Sequence, residues 1–483
     1  MDPNHPENND NGKQTLPPGT RKPSFGLALI PVIAMAVLLG VGYGIYHLKA
    51  QVLLVAAAFL TACLGALLKF SWKEMETGIV ESIRKALPAI LIMLAVGVLV
   101  ATWMASGTIP MIIYYGLKLI SPKYFLVTAC FVCSITAIAC GTSWGTIGSL
   151  GVAFISIASG LGIPLGPAAG AVVAGAYFGD KLSPLSDIPN LASVTAGSNL
   201  FDHIKHTLWS GVPAWLIGLV IYFFMGLKYG NREFDQQNVQ LIASTLEKNF
   251  HFNLLLLLPI FIVFYYAFAK KPTIPGMMVS SLVATVLAII FQKTSLVSVA
   301  QAMNSGYAAQ TGVEMVDRLI SRGGLMSMME TQLVAFAAFS FGGIMQKTGM
   351  LAAILEKIMK FAREVWSLVL TTIGTAILSA LITGSSYLAM IIPAELLGDA
   401  FKKKGLAAKN LSRIIDEAGG IIVPLIPWSM AGVYVTGTLG VPVLSYLPWA
   451  FSNYLAVVIL AIFGLTGVTM DKRKREDETQ PGS

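Results

Sequence analysis

Charge is what this sequence has least of. Asp, Glu, Lys and Arg make up 12% of its 483 residues, about half the ~25% usual in soluble domains. A soluble chain of this length builds two or three cores and needs polar surface to cover them. The composition does not supply that surface. Hydrophobic residues reach 55% and mean hydropathy is +0.71, so a polytopic all-α membrane protein is expected. The net charge of +8 does not indicate nucleic-acid binding, because the basic residues fall in short loops and tails, as the positive-inside rule explains.

Cysteine is also scarce. Cys63, Cys130, Cys133 and Cys140 all lie in apolar runs. Cys130 and Cys133 have zinc or redox spacing, but no second pair or histidine cluster accompanies them, so they read as packing residues. A phosphate-binding Gly-x-x-x-x-Gly-Lys loop is missing, which leaves ATP-driven transport without support. His-Glu-x-x-His is missing too, so no enzyme and no cofactor are expected. Residues 1–24 are polar and rich in Pro and Asn, as in a disordered tail. The apolar run from Phe25 to Tyr46 lacks a small-residue cleavage site and reads as a first spanning helix, not a signal peptide.

Against this apolar background stand two polar islands. One is Cys140-Gly141-Thr142-Ser143-Trp144-Gly145-Thr146. The other is Gly179-Asp180-Lys181-Leu182-Ser183-Pro184-Leu185-Ser186-Asp187. Non-helical backbone at membrane depth must be buried in protein or line a wet cavity, and an intramembrane carboxylate is a functional-site candidate by default. The expected organisation is a tail (1–24), a transmembrane half (25–227), a polar loop (228–253), a second half (254–468) and a basic tail (469–483). Ser71–Leu87 is amphipathic and expected at an interface, ahead of a span from Pro88 to Ala105. Lys and Arg flank the membrane at both ends, which predicts two cytoplasmic termini and roughly 10 to 12 crossings.

The second half echoes the first at an offset near 240 residues. Glu74-Met75 pairs with Glu314-Met315, Gly107 with Gly349, and Gly141–Trp144 with Gly384–Tyr387. Gly179 and Pro184-Leu185 pair with Gly419 and Pro424-Leu425. The duplicated units span about residues 73–200 and 313–440. The loop Gly160–Gly166 is neutral, whereas its counterpart carries Lys402-Lys403-Lys404. The two should therefore face opposite sides, giving inverted repeats with broken helices and re-entrant hairpins.

Sodium prefers hard oxygen ligands, and broken helices expose carbonyl oxygens and partial charges. Asp180 and Asp187 are the expected ion-binding and proton-exchanging carboxylates. One carboxylate holds a proton or a cation but not both well, which couples the two. Thr142, Ser143, Thr146, Ser183, Ser186, Ser385 and Ser386 offer hydroxyls, though any of them could instead satisfy neighbouring helix carbonyls. Glu417 is expected at the site from the second half, with Glu330, Asp416 and Lys181 as further candidates. Lys181 could equally pair with Asp180 or Asp187, and Arg413 with Asp416. His203 and His206 read as an exposed pair at the membrane edge.

Together these residues resemble the signature region of the NhaC-type sodium/proton antiporters. The resemblance covers about residues 25–468 and is carried most specifically by Gly179–Asp187, then by Gly384-Ser385-Ser386 and Gly419–Leu425. Membership of the wider ion-transporter superfamily implies inverted repeats, re-entrant hairpins and a homodimer with an elevator-like moving domain in the lipid bilayer. It implies exchange of Na+ for H+ across the cell membrane and a role in pH homeostasis. The family also includes malate/lactate exchangers that use Na+ and H+, and the signature does not separate the two activities. Lys181 is the one basic residue placed in the core stretch to anchor an organic acid. A cation channel with the breaks as its filter is the reading from another class.

Overall fold

The computed structural model describes residues 20–43, 45–46, 48–230, 236–269 and 271–473, so most of both tails lies outside it. Among the described residues the regular structure is helical, apart from an isolated bridge between Leu406 and Lys472. Among the described residues eight helices are long and apolar enough to cross a membrane, or up to 11 if each bent pair forms one span. The elements that position the site are α1 (Trp72–Ala105), α2 (Phe125–Cys140), α3 (Leu165–Leu182), α4 (Asp187–Ala196), α5 (Leu200–Gly230), α6 (Leu325–Lys347), α7 (Val365–Thr383), α8 (Ser386–Lys403), α9 (Ala408–Ile415) and α10 (Phe451–Thr466).

Two sequence expectations about helix limits change. Ser71–Leu87 is not a separate interfacial piece but the opening of α1, a continuous helix of 34 residues that carries Pro88 inside it. A capping box starts it: the Ser71 hydroxyl accepts from Glu74 N and the Glu74 carboxylate accepts from Ser71 N at 2.7 Å. At ~1.5 Å per residue α1 is ~51 Å long, so its charged first turns extend past a ~30 Å hydrocarbon layer. The polar loop 228–253 also holds a helix, Gln236–Asn249.

The duplication is written in the backbone. Four pairs of left-handed glycines recur at a spacing of about 243 residues: Gly107 with Gly349, Gly141 with Gly384, Gly162 with Gly405, and Gly197 with Gly440. This register differs slightly from the sequence offset. It pairs Pro184 with Pro427 instead of Pro424, places Glu74 opposite Val316 at the 242-residue spacing of the neighbouring Gly107 and Gly349, and sets Asp416 and Glu417 opposite Val173 and Ala174. The π-helical turn Asp416–Gly420 stands where the first repeat has the unbroken helix α3, so residues around that turn do not align by α-helical spacing.

The leading helices of the two repeats pack antiparallel. A Cβ on Gly78 would lie 2.6 Å from Gly343 O, and one on Gly97 would lie 2.7 Å from Gly324 O. Ascending positions in α1 thus meet descending positions in α6, and equivalent elements running in opposite directions make the repeats inverted. The faces agree. Near the lysine loop, Lys404 pairs with Glu364 at 3.7 Å and Arg473 N donates to Gly405 O at 2.8 Å. The N-terminal segment joins that side through Lys22, paired with Glu356 at 2.9 Å. The neutral loop packs elsewhere, with a Cβ on Gly166 reaching 2.4 Å from Ser445 O. Helix α10, ~24 Å long, separates Ser445 from the C-terminal segment.

The close approach of α1 and α6 is testable. Gly343→Ala should force the helices apart at a cost of about 1–3 kcal/mol, read as a lower melting temperature in detergent. Gly374→Ala, where a Cβ meets nothing within 4 Å, should leave it unchanged or raise it slightly.

Candidate functional site

Each break is built the same way. Helix α2 ends at Gly141 with φ 66, and extended Thr142 then caps Ser143–Thr146, its hydroxyl accepting from Gly145 N at 3.1 Å. Helix α7 ends at Gly384 with φ 63, and Ser385 caps α8 by accepting from Leu388 N at 3.4 Å. The second breaks match too. Ser186 caps α4 by accepting from Ile188 N at 3.2 Å, and Ser429 caps Met430–Leu439 by accepting from Gly432 N at 2.9 Å. A hydroxyl cap satisfies a donor that the helix start leaves unpaired, which matters most where no water reaches.

Within each repeat the two breaks touch. A Cβ on Gly141 would lie 2.6 Å from Leu185 Cβ, and one on Gly384 would lie 3.3 Å from Ser429 Cα. An aromatic residue stands just after each first break and reaches into the other repeat. Trp144 stacks on Tyr434 at 4.4 Å, and the Tyr434 hydroxyl donates to Trp144 O at 2.6 Å. Tyr387 donates its hydroxyl to the Asp187 carboxylate.

The carboxylates divide by environment. Asp180 is buried in the last turn of α3, near the negative end of the helix dipole. Its Oδ2 accepts from the Ser143 hydroxyl at 2.9 Å, and its Oδ1 has no hydrogen-bond partner in the protein. Asp187 is exposed and opens α4, where the dipole favours negative charge. Lys181 pairs with neither. Its ammonium meets Glu417 Oε1 at 3.1 Å, with side-chain exposures of 3% and 0%. Gly211 on α5 makes room, because a Cβ there would lie 2.7 Å from the Lys181 Nζ.

Asp416 is likewise taken by a partner the sequence did not suggest. His203 Nε2 lies 3.2 Å from its Oδ2, and both groups are buried. Arg413, offered by its spacing as an alternative partner of Asp416, instead donates to the Thr469 hydroxyl at 2.9 Å. His206 is also buried, with Nε2 2.9 Å from Thr469 O. The two histidines are thus inside the protein, not exposed at its edge. The C-terminal segment closes over this end of α9: Asn410 donates to Asp471 O at 2.7 Å, and the Lys409 ammonium beside Asp471 holds its carboxyl below the usual carboxylate range.

The structure brings Asp180, Ser143, Ser183, Ser186 and Asp187 to one junction of broken helices and sets Lys181–Glu417 directly behind it. Ser183 accepts from Leu185 N at 3.3 Å, and Thr146 donates to Thr142 O at 2.9 Å. Both hydroxyls therefore serve backbone first, as do Thr142, Ser186 and Ser385. Ser386 is half-buried beside Ser385. Glu330 lies apart: it is exposed and pairs with Lys49 at 2.5 Å. Among the described residues no three His, Cys, Asp or Glu side chains converge to hold a metal ion. Sequence reasoning missed the contact of His203 with Asp416, that of Tyr387 with Asp187, and the cap at Ser429. A shared helical face for His203 and His206, and the Pro427-Trp428-Ser429 echo of Pro184-Leu185-Ser186, were the available signals.

Comparison with known proteins agrees with this architecture. The model of the Na+/H+ antiporter family matches residues 175–468. An uncharacterized Na+/H+ antiporter of Haemophilus influenzae is 42% identical over 462 residues, 94% of this chain and 99% of that protein. A malate-2H+/Na+-lactate antiporter of Bacillus subtilis is 34% identical over 87% of this chain and 90% of its own length. The Na+/H+ antiporter NhaC of Alkalihalophilus pseudofirmus is 33% identical over 94% of this chain and 98% of its own. With its inverted repeats, its paired helix breaks and a match over most of its length, this chain belongs to the Na+/H+ antiporter family.

Proposed function

We propose that the protein is a secondary antiporter that exports Na+ in exchange for H+ across the cell membrane, with both termini in the cytoplasm. The observation that carries this reading is Asp180. It is a buried carboxyl with one oxygen bound to Ser143 and the other unpartnered, at the contact between two broken helices. A buried carboxylate without a counter-charge is costly, so the group takes up a proton or a cation. Na+ binds Asp180 with help from the Ser143 hydroxyl, and Asp187 supplies a second carboxylate at the mouth of the junction. Ser183, Ser186, Ser385 and Ser386 and the carbonyls at the breaks are available to complete an oxygen shell. Occupation by Na+ displaces the proton and occupation by a proton displaces Na+, which is exchange.

The similarity to a malate/lactate exchanger favours a second reading, in which an organic acid is exchanged with Na+ and H+. That substrate needs a cationic anchor. Lys181, the basic residue of the core stretch, is neutralised by Glu417 at 3.1 Å, which weighs against it. Equivalent inverted repeats and the family resemblance are consistent with a homodimer in which one body moves against the other.

Purified protein in vesicles with a pH-sensitive dye separates these readings. Na+ should drive proton movement, and malate and lactate should add nothing. Asp180→Asn should abolish the Na+ response in a protein that still elutes as one species. Asp187→Asn should raise the KM for Na+ about 10- to 100-fold, the loss of one charge-assisted contact. Full exchange in Asp180→Asn would remove this carboxyl from the mechanism, and malate-dependent flux would favour the second reading. The Lys181–Glu417 tie is tested by stability: Glu417→Gln leaves a buried ammonium unpaired and should cost about 3–5 kcal/mol, whereas Lys181→Met with Glu417→Gln should recover much of it.

A further inference from the structure

Two hydroxyls reach the two carboxyl groups of the junction, and they come from different repeats. From the break of the first repeat, the Ser143 hydroxyl donates to Asp180 Oδ2 at 2.9 Å. From the matching break of the second repeat, the Tyr387 hydroxyl donates to Asp187 Oδ2. The first contact stays within one repeat, whereas the second crosses between them. The exchange chemistry described above uses Ser143 and gives Tyr387 no part.

Position 387 is a place where the duplicated frame has diverged. Trp144 stands at the same point after the first break, 243 residues earlier, which is the spacing of Gly141 and Gly384. Trp144 is a packing residue. Its ring lies 4.4 Å from that of Tyr434 at an interplanar angle of 6°, and its indole N–H goes to the Tyr177 hydroxyl at 3.3 Å. Tyr387 is 39% exposed and spends its hydroxyl on a carboxylate instead.

The sense of that contact is set by Asp187, which opens α4 where the helix dipole favours the charged form. An ionised carboxylate only accepts, so the phenol is the donor. Asp187 is exposed, and the terminal torsion of an aspartate is broad. Without a donor the carboxylate turns freely. With Oδ2 held by Tyr387, the direction of Oδ1 is set as well. This happens where Asp187 lies within electrostatic reach of Asp180, and the Tyr387 hydroxyl within reach of both. Substitutions at an exposed contact change folding stability little, so the fold does not depend on this hydroxyl.

We propose that Tyr387 is a positioning residue for Na+: its hydroxyl, delivered from the second repeat, holds the Asp187 carboxylate in the orientation that completes the Na+ site with Asp180. The inference rests on the Na+/H+ reading and deepens it. The first repeat supplies both carboxyl groups, and the second repeat sets how one of them faces the ion. A carboxylate already held in place binds the ion without the loss of freedom that ordering it would cost. Tyr387 touches Asp187 and acts through it, and the phenol keeps its proton throughout. Bound Na+ thereby ties α4 to α8.

Na+-driven proton movement in proteoliposomes, measured over a range of Na+ concentrations, separates binding from turnover. Tyr387→Phe removes one oxygen and leaves the ring. It should raise the KM for Na+ about 3- to 10-fold, the scale of one side chain left unordered. Its kcat should stay within about twofold of wild type, and its melting temperature should not change. Replacement of Tyr387 by 4-aminophenylalanine returns an uncharged N–H donor at the same reach and should bring the KM back to within about twofold of wild type. An unchanged KM in Tyr387→Phe would overturn the proposal. So would a joint fall in kcat and melting temperature, or failure of Tyr387→Phe to accumulate as folded protein, because each would make the contact structural. A KM in the 4-aminophenylalanine protein as high as in Tyr387→Phe would also overturn it, because a donor to Asp187 would then not be what matters. Wild-type vesicles with no Na+ response would instead remove the Na+/H+ reading itself, and this inference with it.

Discussion

Every unpaired peptide group inside a hydrocarbon layer costs several kcal/mol, and this structure depends on how that cost is avoided at four places. At each break the chain leaves the helix and the next helix starts from a hydroxyl: Thr142, Ser186, Ser385 and Ser429. Left-handed Gly141 and Gly384 turn the chain sharply enough for the first break of each repeat to rest on the second. Once backbone is satisfied locally, the junction can hold a carboxyl such as Asp180 with one oxygen uncommitted.

The second constraint is charge. Four ionisable side chains, Lys181, Glu417, His203 and Asp416, lie nearly fully buried. Buried charges persist when paired, and breaking one pair costs more than the pair contributes to stability. Here the pairs bridge the repeats or tie them to α5, so each one joins surfaces that inverted symmetry brings together. The asymmetry is informative. Asp180 and Asp187 belong to the first repeat, and the second repeat supplies the carboxyl groups that face Lys181 and His203.

Much of this was legible in the sequence. Scarce charge indicated the membrane class, and the Gly-Thr-Ser and Gly-Ser-Ser islands marked both first breaks. The lysine loop against the neutral loop indicated the inversion that antiparallel Gly78–Gly343 contact displays. The register was less legible, because the π turn at Asp416–Gly420 interrupts the helical spacing on which alignment relies. Side-chain pairing was hidden. Lys181 lies beside Asp180 in sequence, yet successive helical residues point in different directions, and it meets Glu417 instead. The amphipathic pattern of His203 and His206 resembled a wetted edge, because their partners, Ser412 and Asp416 for His203 and the C-terminal segment for His206, join them only in three dimensions. Glu330 interrupts an apolar run but points outward to Lys49, a distinction that hydropathy cannot make.

The central claim is that Na+ and a proton compete for one buried carboxyl. Calorimetric titration of Na+ into the detergent-solubilised protein, repeated in buffers of different ionisation enthalpy, measures this directly. The account predicts that Na+ binding releases a proton, so the observed heat changes with the buffer, and that Asp180→Asn loses this dependence. Na+ binding with the same heat in every buffer would show that no proton is displaced and would contradict the account.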